Sequence, residues 1–177
     1  MKQENSGQQS EREVSSGVIV FRRTREGPRY LVLYHGRGYW NFPKGKIEKE
    51  ERSFEAALRE TYEETGIGRT HLRFVHFFKT FEHWTFRRQG KKVRKTVIFY
   101  LAETTRRDVK LSEDSGREKH YGYAWVTYRE ALQIFVGPRH SENHKVIRKV
   151  HNLLAQRRTL SKNSLHPGRE TLARQKN

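Results

Sequence analysis

Cysteine is absent from all 177 positions of this sequence. Disulfides, thiolate zinc sites and thiol catalysis are therefore excluded, and the chain suits a reducing compartment. Long apolar runs are absent too. None approaches the roughly 18 residues needed to span a bilayer, and the opening MKQENSGQQSEREV has no apolar core of the secretory-signal kind. The expectation is a soluble, cytoplasmic protein. Acidic residues are scarce, with 20 Asp and Glu against 37 Lys and Arg, for a net charge of +17. Aromatics at 12% are enough for a small core and argue against a disordered chain. So basic a surface fits a polyanionic partner such as a nucleotide, a polyphosphate or nucleic acid. A surface made basic for solubility is the plainer alternative.

The order of elements is mixed. Residues 1–12 read as a polar, flexible leader, 13–156 as the folded domain, and 157–177 as a basic, mobile tail with six Lys and Arg. VSSGVIVFRR (14–23) and RYLVLYH (29–35) read as paired strands joined by a turn. GRGYWNFPKGK (36–46) reads as a long ordered loop. A helix follows from about Ser53, its expected N-cap, to Gly66. LRFVHFFKTFEHWTF (72–86) and KVRKTVIFYLAE (92–103) form a hairpin about Gly90, and YGYAWVTY (121–128) is a last strand before two helices. Val146, Val150, Leu153 and Leu154 share one face of the second of these helices. His140, His144 and His151, in or beside it, are expected to be solvated. The pattern is α+β or a three-layer α/β/α sandwich.

The helix raises the functional question. At 100° per residue, Phe54, Leu58, Thr61 and Thr65 line the face to be buried. Glu60, Glu63 and Glu64 stand at i, i+3 and i+4 on a second stripe, with Ala56 and Ala57 one turn earlier. Their mutual repulsion is aggravated by the helix C-terminus, where the macrodipole disfavours anions. Such local inconsistency marks functional sites. A divalent cation would relieve it, and hard carboxylate oxygens suit Mg2+ or Mn2+. An acidic patch paired with surface Lys and Arg is the competing explanation.

Gly45, Glu51, Arg59, Glu60, Glu63, Glu64, Gly66 and Ile67 match G-x5-E-x7-R-E-U-x-E-E-x-G-U at every spacing, U being a bulky apolar residue. Thr61, at the first U, is the one mild departure. The sequence thus resembles the Nudix hydrolases over roughly residues 14–155. The resemblance implies a Nudix fold: an α/β/α sandwich with a mixed β-sheet, the box forming a loop–helix–loop. It also implies Mg2+-dependent or Mn2+-dependent hydrolysis of a nucleoside diphosphate linked to another group. Glu60, Glu63, Glu64 and the Gly45 carbonyl would hold metal, Arg59 would orient the carboxylates, and Glu51 and Gly66 would be structural. One box glutamate, or a later one, would act as base. Glu118 is preferred over Glu113 for that later position, although Lys119 falls at the expected register.

Within the family, YWNFPKGKIE and the KTVIFYLAE strand resemble the diadenosine tetraphosphate (asymmetrical) hydrolases, which implies cleavage to ATP and AMP. Lys44, Lys46, Lys79 and Lys95 would contact the polyphosphate, and His83, Trp84 and Tyr121 would stack on a base. Phe77, Phe78 and Phe81 are expected in the core. Removal of pyrophosphate from RNA 5′ ends, aided by basic surface and tail, is an alternative, as is a diphosphoinositol polyphosphate substrate. A noncatalytic nucleotide-binding or RNA-binding module would be expected to carry a broken box. Neither GxxxxGK[ST] nor HExxH occurs.

Overall fold

The computed structural model describes residues 10–111, 120–135 and 141–164, the last seven as backbone only. Seven strands form one mixed sheet: β1 (Glu11–Thr24), β2 (Gly27–Tyr34), β3 (Trp40–Asn41), β4 (Lys44–Lys46), β5 (Arg73–Arg88), β6 (Lys91–Glu103) and β7 (Gly122–Val126). Strand β1 runs parallel to β6 from Glu11 opposite Val93 to Phe21 opposite Glu103, and β6 is antiparallel to β5. Gln89 and Gly90 close that hairpin with φ of 50° and 76°, the left-handed pair that a tight two-residue turn requires. Among the described residues there are three α-helices, α1 (Ser53–Thr65), α2 (Tyr128–Ile134) and α3 (Ser141–Ser164), and a 3-10 turn at Arg69–His71. No described helix is long and apolar enough to cross a membrane.

The stretch expected as loop, 36–46, contains β3 and β4. Residue Phe21 pairs with both Tyr30 and Glu103, and Ser15–Gly17 pair with both β4 and β6. Strands β2 and β4 therefore share one edge of β1, and the box enters the sheet where β1 and β2 part. This close approach needs Gly17, because a Cβ there would lie 2.0 Å from the Pro43 carbonyl oxygen.

Alternation along β1 explains the layers. Val18 and Val20 face one way and Ile19 and Phe21 the other, all fully buried, as a central strand covered on both faces requires. Val18, Val20, Leu33 and Ala102 pack beneath Ala57 of α1 and Ile67. Ile19, Phe21, Val97 and Phe99 pack beneath Phe135, Ile147 and Val150 on the α2–α3 side. Each such side chain contributes about 1.5–3 kcal/mol by leaving water.

Three local expectations change. The N-cap of α1 is Arg52, whose N–H donates to Glu55 at 3.0 Å, while the Ser53 hydroxyl bonds to Tyr100 at 2.9 Å. Helix α3 continues to Ser164, beyond the point where apolar periodicity stops. Its sequence past Gln156 contains no helix breaker until Pro167, so propensity carries it on. His144 and His151 are not simply solvated: His144 Nε2 lies 3.0 Å from the Leu132 carbonyl, and His151 pairs with Tyr30 Oη at 3.2 Å and stacks on Tyr128. His140, Glu113 and Glu118 lie outside the described residues.

Candidate active site

Helix α1 ends at Gly66, whose φ of 67° suits the left-handed cap and whose N–H bonds to the Tyr62 carbonyl at 2.8 Å. Its last turn carries no basic residue. The compensating cation comes from the middle of the helix. The Arg59 guanidinium grips Glu51 with Nε and Nη2, both at 2.9 Å, and reaches Glu60 and Glu63 with Nη1 at 2.8 and 3.2 Å. Nη2 also donates to the Lys46 carbonyl at 3.0 Å, tying the box loop to its helix. This is the planar, multidentate use that distinguishes arginine from lysine.

The carboxylates differ in state. Arg59 holds Glu51 below the usual carboxylate range. Burial pushes the Glu60 carboxyl up, Arg59 offsets part of this, and neighbouring Glu63 pushes it up again. Glu64 is buried; its Oε2 accepts the Lys44 backbone N–H at 2.9 Å, and its Oε1 lies 3.3 Å from His120 Nε2. Gly45 is dictated by this packing, since a Cβ would sit 2.0 Å from the Glu60 carboxyl carbon.

Sequence reasoning did not single out His35 or His120. His120 meets Glu64 and His35 meets His120: the two rings lie edge to face at 4.5 Å, and His120 is buried. Burial, then Lys44 and His120, depress the His35 pKa to about 3, so the ring is neutral. A histidine ending an apolar strand was the available signal. Beside this pair, Tyr34 lies 4.8 Å from Trp40 and 6.4 Å from Tyr121, which is 62% exposed and backs onto Gly36.

The other expected substrate contacts are divided. Lys44 is buried and acts electrostatically on His35, Glu60 and Glu82. Lys46 is exposed, its carbonyl held by Arg59. Adjacent residues of a strand point to opposite faces. Lys79 and His83 lie on the α1 face, with Lys79 over the Tyr100 ring and His83 bonded to Thr96. Trp84 and Lys95 lie on the other, Trp84 against the α2–α3 core and Lys95 beside Glu13 at 3.3 Å. His83 and Trp84 cannot therefore sandwich one base. Of the phenylalanines expected in the core, only Phe78 packs there; Phe77 is 96% and Phe81 45% exposed. A register shift between Phe74 and Lys79, with Phe77 at φ 59°, interrupts the strand and turns these side chains out.

A model of the NUDIX domain matches residues 11–150. The chain belongs to the Nudix family. Its mixed sheet between helices is the Nudix fold, and it is a Nudix pyrophosphohydrolase. It is 33% identical over 126 residues to the bis(5′-nucleosyl)-tetraphosphatase [asymmetrical] of Rattus norvegicus, covering 67% of this chain and 81% of that one. An RNA pyrophosphohydrolase of Bartonella bacilliformis is 23% identical over 159 residues, covering 78% and 91%. Among solved structures, a C. elegans Ap4A hydrolase binary complex superposes with a TM-score of 0.67 at 26% identity, covering 81% of this chain and 98% of that one.

Nudix hydrolases generally use divalent metals such as Mg2+. As the side chains stand, no three acidic or histidine residues among the described residues form a ready-made metal cluster. Arg59 instead draws Glu60 and Glu63 to one nitrogen, and Glu64 turns to Lys44 and His120. The donor set nonetheless fits a hard cation: oxygens only, with Glu60 packed onto Gly45 and its charge opposed by burial and by Glu63.

Proposed function

We propose that this Nudix hydrolase cleaves dinucleoside polyphosphates, diadenosine tetraphosphate above all, asymmetrically to ATP and AMP in the presence of Mg2+ or Mn2+. The observation that carries this reading is the aromatic group of Tyr34, Trp40 and Tyr121, built around Tyr121 N–H donating to the Tyr34 carbonyl at 2.7 Å, beside the Glu64–His120 contact. It offers a base a stacking surface that begins one residue along the chain from His120, the partner of Glu64, and the likeness to asymmetrical tetraphosphatases supports the same substrate.

In this mechanism Glu60, Glu63, Glu64 and the Gly45 carbonyl would hold the cation. When bound, it supplies positive charge against the phosphate oxygens and acidifies the attacking water. Arg59 keeps Glu60 and Glu63 in place through charge-assisted hydrogen bonds. Lys44, drawn in by β4, places a positive charge beside the polyphosphate, and Lys46 extends it outward. A box carboxylate takes the proton of the water whose oxygen attacks phosphorus. The P–O bond to the departing nucleotide then breaks, and that nucleotide leaves with the bridging oxygen.

Product chromatography after incubation with Mg2+ and diadenosine tetraphosphate tests this, with Glu63→Gln as control. ATP and AMP, lost in the variant, are expected. Release of pyrophosphate from 5′-triphosphorylated RNA, with the dinucleotide untouched, would replace the substrate assignment and leave the family reading intact.

A further inference from the structure

Among the described residues, the three strands β1, β6 and β5 are covered by α1 only at one end. At Tyr100 the helix is in contact, through Ser53 and Phe54. Beyond it the register carries the same face outward in rows. Ser16, Ile98 and Phe81 form one row, Val14, Thr96 and His83 the next, and Arg12, Arg94 and Thr85 the third. Lys92 and Arg87 close it at the hairpin end. Of these, Phe81 is 45% and Val14 39% exposed, while Ser16, at the end next to β4, is buried.

Charge on this end of the sheet is sorted by face. Residues 73–100 hold eight Lys and Arg against one acid, Glu82. Glu82 is buried on the opposite face. The acids of β1, Glu11 and Glu13, also face that way, where they pair with Arg88 and Lys95. The uncovered face receives Arg12, Lys79, Arg87, Lys92 and Arg94 from these strands and no carboxylate. Its centre is aromatic: Phe81 and His83 lie nearly parallel, at 13° with centroids 6.0 Å apart, and Lys79 stands over Phe81 at 5.8 Å.

We propose that this uncovered face of β1, β6 and β5 binds single-stranded nucleic acid, bases stacking on Phe81 and His83 while Arg12, Lys79, Arg87, Lys92 and Arg94 meet the phosphates. Stacking tolerates any base, because every base has a π-face, and a cation-lined face tracks the backbone. A second copy of the chain fits worse, since a face with cations and no anions repels itself. The face adjoins β4, where Ser16 pairs with Gly45, so a bound strand runs toward the box. The binding does not depend on the substrate proposed above.

The test is fluorescence anisotropy of a 3′-labelled oligouridine with a 5′-hydroxyl, titrated with the full chain in EDTA, where no hydrolysis occurs. Saturable binding that weakens steeply with salt is expected. Phe81→Leu should weaken it about 10-fold or more while Phe81→Tyr retains it, a rescue that mere loss of folding does not give. Arg94→Glu should weaken it and flatten the salt dependence. Both sites are exposed, so unchanged melting temperatures are expected. Absence of binding by the wild type overturns the proposal. So does binding indifferent to Phe81→Leu and Arg94→Glu, which would place the strand elsewhere. Equal preference for duplex would remove the stacking role and overturn it. Capture by anionic vesicles through Phe81 without oligonucleotide binding would reassign the face to a membrane.

Discussion

Helix α1 and the β5–β6 hairpin both concentrate charge of one sign, and they resolve it differently. In α1 the surplus is negative and is answered within the element: one guanidinium holds Glu51, Glu60 and Glu63. In the hairpin the surplus is positive; among the described residues Glu103 answers Arg73 at the far end, and Glu11 and Glu13 of β1 answer Arg88 and Lys95 on one face. An internally matched cluster has its counter-charge already in the fold, so a cation that enters competes with the guanidinium for the same carboxylates. An unmatched face has its counter-charge still to find, in solution or on a partner. The same net charge thus has two meanings, and only the partners tell them apart.

The sharpest way to break the comparison is to remove a negative charge from α1 itself. Glu64→Gln keeps the shape but loses an anion, and hydrolysis should fall about 10²–10⁴-fold. Initial rates at saturating Mg2+ measure this; a loss under ten-fold would take Glu64 out of the machinery. Arg59→Lys comes next. It retains the positive charge and forfeits the fork, so activity should drop roughly 10–100-fold with weaker Mg2+ activation. Full activity in Arg59→Lys would mean that charge alone, not the multidentate grip, holds the carboxylates.

A third carboxylate belongs to neither region's solution. Glu82 is 1% exposed, and its Oε1 has no hydrogen-bond partner among the described residues. Burial pushes its pKa up to about 8, against the pull of Lys44. The folded state then binds a proton that the unfolded state releases above its ordinary range, so stability falls as pH rises from about 4.5 to about 8. His35 acts oppositely: its depressed pKa of about 3 makes stability rise with pH up to its ordinary value of 6.5. The two slopes oppose each other below that value, and Glu82 acts alone above it. Glu82→Gln should therefore flatten the fall between about pH 6.5 and 8, a difference of roughly 2 kcal/mol, read by urea unfolding at each pH. Parallel curves for wild type and variant would refute the assignment.

The box could be read from sequence because each of its residues answers to a spacing that function imposes. Gly45, Arg59 and Gly66 need their positions whatever surrounds them, and the structure shows why at each. The hairpin was legible only as strands and a turn. Which face each side chain took depended on the irregularity between Phe74 and Lys79, which reset the alternation and put Phe77 and Phe81 outside. No local residue pattern announces a shift made by pairing with a distant strand. The histidine pair at Glu64 was hidden for a related reason: His120, which meets Glu64, comes to His35 because β7 pairs with the free edge of β2. Glu82 was in plain view, a single acid in an aromatic strand, and its burial depends on the same reset register.

The smallest expected effect concerns Thr61, the one box position that departs from apolar preference. It is fully buried on α1, and its hydroxyl has no hydrogen-bond partner among the described residues. The Thr65 hydroxyl, one turn on, instead donates to the Thr61 carbonyl. A buried, unpaired hydroxyl costs free energy that its near-isostere valine does not. Against this, a β-branched residue already occupies the site, so helix propensity changes little. Thr61→Val should raise stability by about 1 kcal/mol and leave the rate of hydrolysis unchanged, because the side chain faces away from the carboxylates. Thermal melting beside an activity assay reads both. If the variant is instead destabilised, the hydroxyl has a partner, and the buried side of α1 is as polar as the side that carries the chemistry.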